Sequence, residues 1–399
     1  MKIGIVGGGA SGLMAGGFLS EKGDVTIFDG NEKCGKKIYI TGKGRCNLTN
    51  NCSVEEYLSN VVSGNKFMMS AINNFNCQDT ISFFEDLGMK TITERGNRVF
   101  PFSQKSSDVI KALEKHCKNC EIKLNEKVEN ITKENNKFII KTTKNTYSFD
   151  KVIIATGGKS YPATGSSGFG YKIAKAFGHN IIKPFPALVP IKIKDKMDLE
   201  GLSLKNVSLN AKINGKEKSL FGEMLFTFDA ISGPIALSMS SYIGQDKVDK
   251  LSIDFKPALT KEILENRILR DMEENKNKNF SYILKGLLPI RMANEFMSRL
   301  NLKEDIKVNS VKSETRKGLV NLLKDFQLEF DCLYPIEAGI ITSGGVDLKE
   351  INPKTMESKL VKGLYFIGEV LDIDCLTGGY NLQTAFSTAY ACAKYLEKE

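Results

Sequence analysis

Residues 2–30 read KIGIVGGGASGLMAGGFLSEKGDVTIFDG. KIGIV is a short buried-strand pattern that stops at glycines. ASGLMAGGFLSEKG then reads as a helix, and DVTIFDG as a second strand. Strand, glycine turn, helix and strand within about thirty residues make a βαβ unit. Gly7, Gly9 and Gly12 form GxGxxG where that motif has a physical task, directly after a strand and opening a helix. The first glycine permits the tight turn, the second lets backbone approach a pyrophosphate, and the third lets helix and strand pack closely. Ala10 and Ser11 stand between them at the helix N-terminus, whose free N–H groups and partial positive charge suit phosphate. Asp29, followed by Gly30, ends the second strand about twenty residues on, where a carboxylate can accept bonds from ribose hydroxyls. The segment is read as a dinucleotide site.

A chain of 399 residues is too long for one ordinary core, so two or three domains are expected. Hydrophobic residues make up 41% and charged residues 26%, which is globular composition. No apolar run reaches the length of a membrane span. The glycines near the N-terminus break the compact apolar helix that a secretion signal needs. Nine cysteines without regular spacing suggest reduced thiols and a cytoplasmic location. The net charge of +9 raises a nucleic-acid partner. Lysine, however, greatly outnumbers arginine and is spread along the whole chain. That pattern reads as solvated faces and argues against such a partner.

From Cys77 to Cys117 the pattern is helical, broken near ERGNRVFP. EIKLNEKVENITKENNKFIIKTTKNTYSFDKVIIATGG alternates, turns at ENNK, and reads as a three-stranded meander leading into a buried strand, Val152 to Ala155. Residues 188–256 alternate apolar and polar, with a hairpin signal at Asn214-Gly215. Residues 257–328 change to helical spacing: Leu259, Ile263, Leu264, Ile268, Leu269 and Met272 share one face, and Pro289 opens a further helix. GLYFIGEV is one more buried strand ending in Gly-Glu, and TGGYNLQTAFSTA prepares a second helix N-terminus behind two glycines.

A nicotinamide enzyme usually continues with more βα units after the second strand. Here NEKCGKKIYITGKGRCNLTN follows, without that rhythm. The order resembles the two-part FAD domains of the glutathione-reductase type, in which the N-terminal unit holds ADP and a distant C-terminal strand holds ribitol and flavin. GKKIYITGKGRCNLTN, ATGGKSYPATGSSGFGY, ISGPIAL and TMESKLVKGLYFIGEVLDIDCLTGGYNLQTAFSTA carry a closer likeness. They resemble the BaiN-like (YhiN-like) flavoproteins, also grouped as an aminoacetone-oxidase-like family, in order from residue 1 to about 392. The resemblance implies an α/β fold: a glutathione-reductase-type, Rossmann-like FAD-binding domain with an inserted β-barrel-like domain and an inserted helical domain. The expected boundaries are 1–187 with 346–399 for FAD, 188–256 with 329–345 for the barrel, and 257–328 for the helices.

Non-covalent FAD is implied with it. Carried over onto this chain, Lys36, Lys37, Thr41, Gly42, Arg45, Cys46 and Asn47 should lie along the cofactor. Val128 should offer backbone groups to adenine, and Thr156 and Gly157 should close over the dinucleotide. Gly368 and Glu369 should meet the ribityl chain, while Gly378, Gly379, Tyr380, Asn381 and Leu382 should meet the pyrimidine end of the flavin. Two departures from the family pattern are Lys43 and Cys375, which stand where the family usually has glycine.

Catalytic residues are less marked. Tyr380 is a candidate proton donor, Arg98 a candidate clamp for a substrate carboxylate, and Cys46 a candidate thiol beside the flavin. Tyr161 reads as packing. The CxxC of HCKNC, His116 to Cys120, has no matching second pair and reads as structural. His179 reads as the end of a helix before a strand. No metal site is expected from two histidines. The expected activity is an FAD-dependent oxidoreductase acting on a small organic molecule, in the form of an NAD(P)H-linked reductase of unsaturated compounds. Without a second GxGxxG after a strand, NAD(P)H would dock only transiently, or another carrier would exchange the electrons. The alternatives are an FAD-dependent tRNA-modifying enzyme and an amine oxidase using dioxygen.

Overall fold

In the computed structural model, which describes residues 1–398, Lys2–Val6 is the central strand of a five-stranded parallel sheet. Its neighbours are Asp24–Phe28 on one side and Lys151–Ile154 on the other, with Glu121–Lys123 and Leu364–Phe366 at the edges. The chain therefore builds outward in one direction through its first three sheet strands, then returns to the centre and builds the other way. The reversal falls between Lys2–Val6 and Lys151–Ile154, and in such sheets ligands bind at the carboxyl ends beside that point. Ile3, Ile5, Ile27, Ile153, Ile154 and Phe366 are fully buried, as a sheet covered on both faces requires.

One face packs against the helix Ala10–Leu19, on which Ser106–His116 and Tyr380–Leu396 pack in turn. The other face carries the antiparallel meander Val128–Glu134, Lys137–Thr142 and Thr146–Phe149. Gly4 marks that contact, since a Cβ there would stand 2.8 Å from Ile140 and 2.9 Å from Phe149. The meander turns at ENNK with Asn135 and Asn136 left-handed, at φ 46° and 63°. Glu121–Lys123, read with the meander from sequence, instead joins the parallel sheet beside Asp24–Phe28. The break near ERGNRVFP is a hairpin, Thr91–Glu94 with Arg98–Pro101, and Thr49–Asn50 adds a third strand to it.

The chain divides into two compact units, Met1–Ala187 with the residues from Pro335 onward, and Leu188–Tyr334. In the second, a seven-stranded antiparallel sheet has edge strands Phe326–Leu328 and Phe330–Leu333, separated only by Glu329. The sheet thus curls until its edges are joined through one residue. Its longest hairpin, Ser203–Ile213 with Lys216–Phe226, turns at Asn214 and Gly215, with φ 46° and 77°. Leu264, Ile268, Phe280, Phe296 and Leu319 from the helices share one core with Leu209, Phe226 and Ile253 from the sheet. Ile263 is 54% exposed, so the buried stripe of Lys261–Glu274 is narrower than its sequence suggested. Pro289 is the N-cap of Ile290–Arg299.

Residues 335–345, expected with the inserted strands, lie in the first unit, where Ile341–Val346 pairs with Ile181–Ala187. Gly344 permits this pairing: it is left-handed at φ 80°, and a Cβ there would stand 2.6 Å from the Lys183 carbonyl oxygen. Among the described residues no helix is long and apolar enough to cross a membrane.

Candidate functional site

The glycine turn is packed for close approach. Gly7 has φ 110°, and its carbonyl oxygen lies 1.9 Å from where a Gly12 Cβ would sit. A side chain at Gly12 therefore has no room. At Gly9 the opposite holds, since nothing lies within 4 Å of a Cβ built there. Gly9 is the N-cap of Ala10–Leu19, with no side-chain cap, and helical bonding starts only with Leu13 N–H to the Gly9 carbonyl. The first-turn amides of Ala10, Ser11 and Gly12 thus lack an intrahelical acceptor.

Asp29 holds this turn from the next strand. Its carboxylate accepts from Gly8 N–H at 2.9 Å, and from Asn31 N–H and Nδ2 at 2.8 Å. Glu126 N–H donates to the Asp29 carbonyl at 3.0 Å, and Gly30 lies against Lys127. Val128, buried at the start of the meander, is brought to the same corner.

The C-terminal half meets the glycine turn at Gly368, where a Cβ would lie 2.7 Å from Ser11 Oγ. Gly368 N–H donates to Thr388 of the C-terminal helix at 3.0 Å, so both helices flank this short 3₁₀ turn. Glu369 faces Lys37, with Nζ at 2.6 and 2.9 Å from its two carboxylate oxygens. The same carboxylate accepts from Ser160 Oγ at 3.0 Å and from Thr342 N–H at 2.9 Å. Lys37 also donates to Ser160 at 2.6 Å. Lys36 points elsewhere, toward Asn31 and Glu32. Gly157, left-handed at φ 68°, stands beside Glu369, and Thr156 packs on Gly170.

Tyr380–Leu396 is the second helix at this site that begins without a side-chain cap. Its N-cap Gly379 has φ 98°, and a Cβ there would meet the Thr49 carbonyl oxygen at 2.3 Å. Helical bonding begins with Gln383 N–H to Gly379, which leaves the amides of Tyr380, Asn381 and Leu382 without intrahelical acceptors. Asn381 braces the approach, accepting from Cys375 N–H at 3.0 Å and donating to its carbonyl at 2.9 Å. The Tyr380 ring is buried against Gly378, and burial raises the phenol above its usual range.

The loop from Thr41 to Asn47 is tightly wound. Gly42, Lys43, Gly44 and Cys46 are all left-handed, at φ 55°, 58°, 85° and 59°. Lys43 thus takes a glycine-like backbone without being glycine, which stores strain. Thr41 Oγ1 donates to the Ile38 carbonyl at 2.7 Å. Arg45 pairs with Glu94 and stacks 4.2 Å above the Phe100 ring. Cys46 is fully buried, and burial pushes its thiol up to about 12. It therefore keeps its proton at neutral pH, which disfavours a nucleophilic role. Asn47 Oδ1 and Asn50 Oδ1 are buried and have no hydrogen-bond partner. Arg98 is exposed on the hairpin, donating to the Arg95 carbonyl at 3.0 Å.

Other sequence candidates lie apart from this cluster. Cys117 Sγ donates to the Leu13 carbonyl at 2.9 Å, and His116 meets Phe18 and Phe83 edge to face. His179 follows the helix Phe169–Ala176, with Nδ1 3.0 Å from Glu350 and Nε2 2.8 Å from Ser358. That constellation has the order of a hydrolase triad, but Ser358 Oγ also accepts from Leu360 and Val361 N–H and is buried. It braces a turn. Tyr161 is the left-handed N-cap of a 3₁₀ turn. Ser160 and Thr342, which hold Glu369 and the adjoining backbone, were not singled out from sequence.

The arrangement fits FAD on its own terms. Two helices that flank one turn begin with free first-turn amides, a side chain at Gly9 would meet open space, and two buried amide oxygens on the segment after Thr41 lack partners. A βαβ unit joined in this way to a C-terminal helix defines an FAD-binding enzyme of the Rossmann type.

The chain belongs to the family described as HI0933-like protein Rossmann domain, which matches residues 1–395, and with it to the FAD-dependent oxidoreductases. It is 31% identical to the ribosomal RNA dihydrouridine synthase of Haemophilus influenzae, covering 99% of this chain and 98% of that protein. It is 29% identical to the 3-dehydro-bile acid delta(4,6)-reductase of Clostridium scindens, covering 98% of each. The fold is similar to 3-ketosteroid delta1-dehydrogenase from Sterolibacterium denitrificans, with TM-score 0.52, 12% identity and 99% of each chain covered.

Proposed function

We propose that the chain reduces a carbon–carbon double bond conjugated to a carbonyl group, with FAD bound non-covalently at the site described. The observation that carries the cofactor assignment is a pair of helices that both pack at Gly368 and whose first-turn amides, after Gly9 and after Gly379, have no intrahelical acceptor. The chemical class rests on what two relatives' names share. Dihydrouridine is uridine with its ring double bond saturated, and a delta(4,6)-reductase of a 3-dehydro-bile acid saturates bonds conjugated to a ketone.

Bound FAD supplies the hydride equivalent for this chemistry. The amides of Ala10, Ser11 and Gly12 bind its pyrophosphate, Asp29 its adenosine ribose, and the Val128 segment its adenine. Glu369, oriented by Lys37 and Ser160, binds the ribityl hydroxyls. Thr156, Gly157 and the Thr41–Asn47 loop flank the dinucleotide. The amides of Tyr380, Asn381 and Leu382 offer donors to the pyrimidine edge, where negative charge gathers on reduction. Burial keeps the Tyr380 phenol protonated, and in this reading its hydroxyl is the hydrogen-bond donor to the developing enolate. NAD(P)H, docking transiently, is the electron donor in this reading.

A second reading places the double bond in RNA rather than in a free small molecule, because one relative bears a ribosomal RNA activity in its name. One experiment separates these. The flavin is reduced anaerobically with NADH or NADPH, then mixed with a steroid dienone or with uridine-containing RNA. Reoxidation with product gaining two hydrogens is expected from one of the two. Reduction of the oxidised protein by an amine, with neither compound reoxidising it, would exclude both readings in favour of an amine oxidase.

A further inference from the structure

Cys52 and Cys77 lie outside the residues assigned to the cofactor. Their Sγ atoms are 3.8 Å apart, nearly in contact and less than two bond lengths from a disulfide. Cys52 follows the strand Thr49–Asn50 and is half-buried, while Cys77 is buried as the first residue of the helix Cys77–Asp86. Asn76 and Asp79 form a full capping box around Cys77, so its position is held from both sides. Both are free thiols.

Chemistry sets this pair apart from the isolated buried cysteines. A helix N-terminus stabilises a thiolate. The Cys77 thiol is held below its usual range by the Cys52 thiol that donates to it, helped by Thr49 and by the backbone N–H groups of Asn50 and Cys52. Burial opposes this but does not win. At Cys46, Cys375 and Cys392 burial dominates and raises the thiol instead.

We infer that Cys52 and Cys77 form a reversible dithiol–disulfide site that exchanges with small-molecule disulfides. The pair loses one proton to solvent, and the remaining proton is shared across the S–H···S contact. Cys77, the resident thiolate, takes the Cys52 proton across this contact, and Cys52, the sulfur that solvent reaches, attacks one sulfur of the reagent disulfide. The reagent's S–S bond breaks and one thiolate leaves. Cys77, deprotonated in turn, attacks Cys52 Sγ, and the second reagent thiolate leaves. Two protein thiols are oxidised to a disulfide, and the reagent is reduced to two thiols that take up the two protons. The new bond would tie the strand whose Asn50 holds Gly378 (3.0 Å), and whose Thr49 donates to Gln383 (2.6 Å), to the helix beside it. This site stands independently of the proposed reaction.

The test uses the full-length, FAD-loaded protein. It is reduced, freed of reductant, equilibrated with excess oxidised glutathione, blocked with an alkylating agent in acid, and digested for mass spectrometry. The expected result is a Cys52 peptide joined to a Cys77 peptide with the loss of two hydrogens, reversed by dithiothreitol. Cys77→Ser should trap glutathione on Cys52, and Cys52→Ser should leave Cys77 unmodified. The inference fails if exposed Cys332 takes up glutathione while wild-type Cys52 and Cys77 both stay free. It fails equally if wild-type Cys52 retains glutathione with Cys77 free.

Discussion

Single residues divide sharply by what surrounds them. Gly12 has no room for a Cβ because of Gly7, whereas Gly9 faces open space. Gly9→Val should therefore leave the fold and the thermal midpoint of the apoprotein nearly unchanged while most FAD occupancy is lost. Gly12→Ala should lower stability whether or not FAD is present. Absorbance at the flavin band, with circular dichroism melting, reads both, and full FAD content in Gly9→Val would show the turn to be only structural. Asp374 is a second case. It is fully buried, Oδ1 accepts from Ser343 at 2.7 Å, and Oδ2 has no partner. Burial, against the smaller opposing effect of Ser343, raises its carboxyl to about 6. A carboxyl raised in the folded state favours the protonated fold, so this contribution is complete below about pH 4 and lost as pH rises through about 6. Wild type should lose about 2–3 kcal/mol across that window relative to Asp374→Asn. Urea titrations with excess FAD between pH 4.5 and 8 measure it, and a pH-independent difference would sink the idea. The glycines were legible because their spacing is local. The Lys37–Glu369 pair was not, since each residue gives no sign of a partner on the other half of the unit.

At the scale of elements, the C-terminal helix carries the sharpest expectation. Its first three amides have no intrahelical acceptor, and Asn381 pins the turn before it to Cys375. Leu382→Pro removes one of those amides at a position where the helix makes no use of it. A lost bond to a charged group is worth about 1.5–3 kcal/mol, and about 1.4 kcal/mol corresponds to about 30 mV for a two-electron couple. The flavin midpoint potential should fall by about 30–60 mV, measured by spectroelectrochemical titration at full FAD occupancy. An unchanged potential would place this helix away from the pyrimidine edge. Elements with strong local pattern were legible: the βαβ unit, the ENNK and Asn214-Gly215 turns, and the helix after Pro289. The hairpin Thr91–Glu94 with Arg98–Pro101 was not, because four-residue strands hold too few side chains to show alternation. Glu121–Lys123 is shorter still, and its partner strand lies far back in the chain.

For the whole molecule, a site drawn from both ends of the sequence makes bound FAD part of the fold. The purified protein should be yellow and should release intact FAD on acid or heat denaturation. FMN in the supernatant, or flavin retained by the precipitate, would contradict the assignment. Added FAD at about 100 times its dissociation constant should stabilise the apoprotein by about 2.7 kcal/mol. The unit boundary shows where sequence reading stopped working at this scale. Ile341–Val346 alternates too little to reveal its partner, and its pairing with Ile181–Ala187 spans the whole insertion.

That insertion also sets an order of events on the ribosome. Leu188–Tyr334 is continuous, with its own sheet and core, and can fold as soon as it emerges. The surrounding unit cannot, because its edge strand Leu364–Phe366 and its second helix N-terminus are made afterwards. At about 5–20 residues per second, the four earlier parallel strands wait roughly 10–40 seconds with Lys151–Ile154 as an open edge. An unpaired parallel edge recruits other chains. Nascent chains stalled before residue 364 should therefore bind holding chaperones more strongly than chains released beyond the C-terminal helix, and slower translation of residues 188–334 should lower the soluble yield.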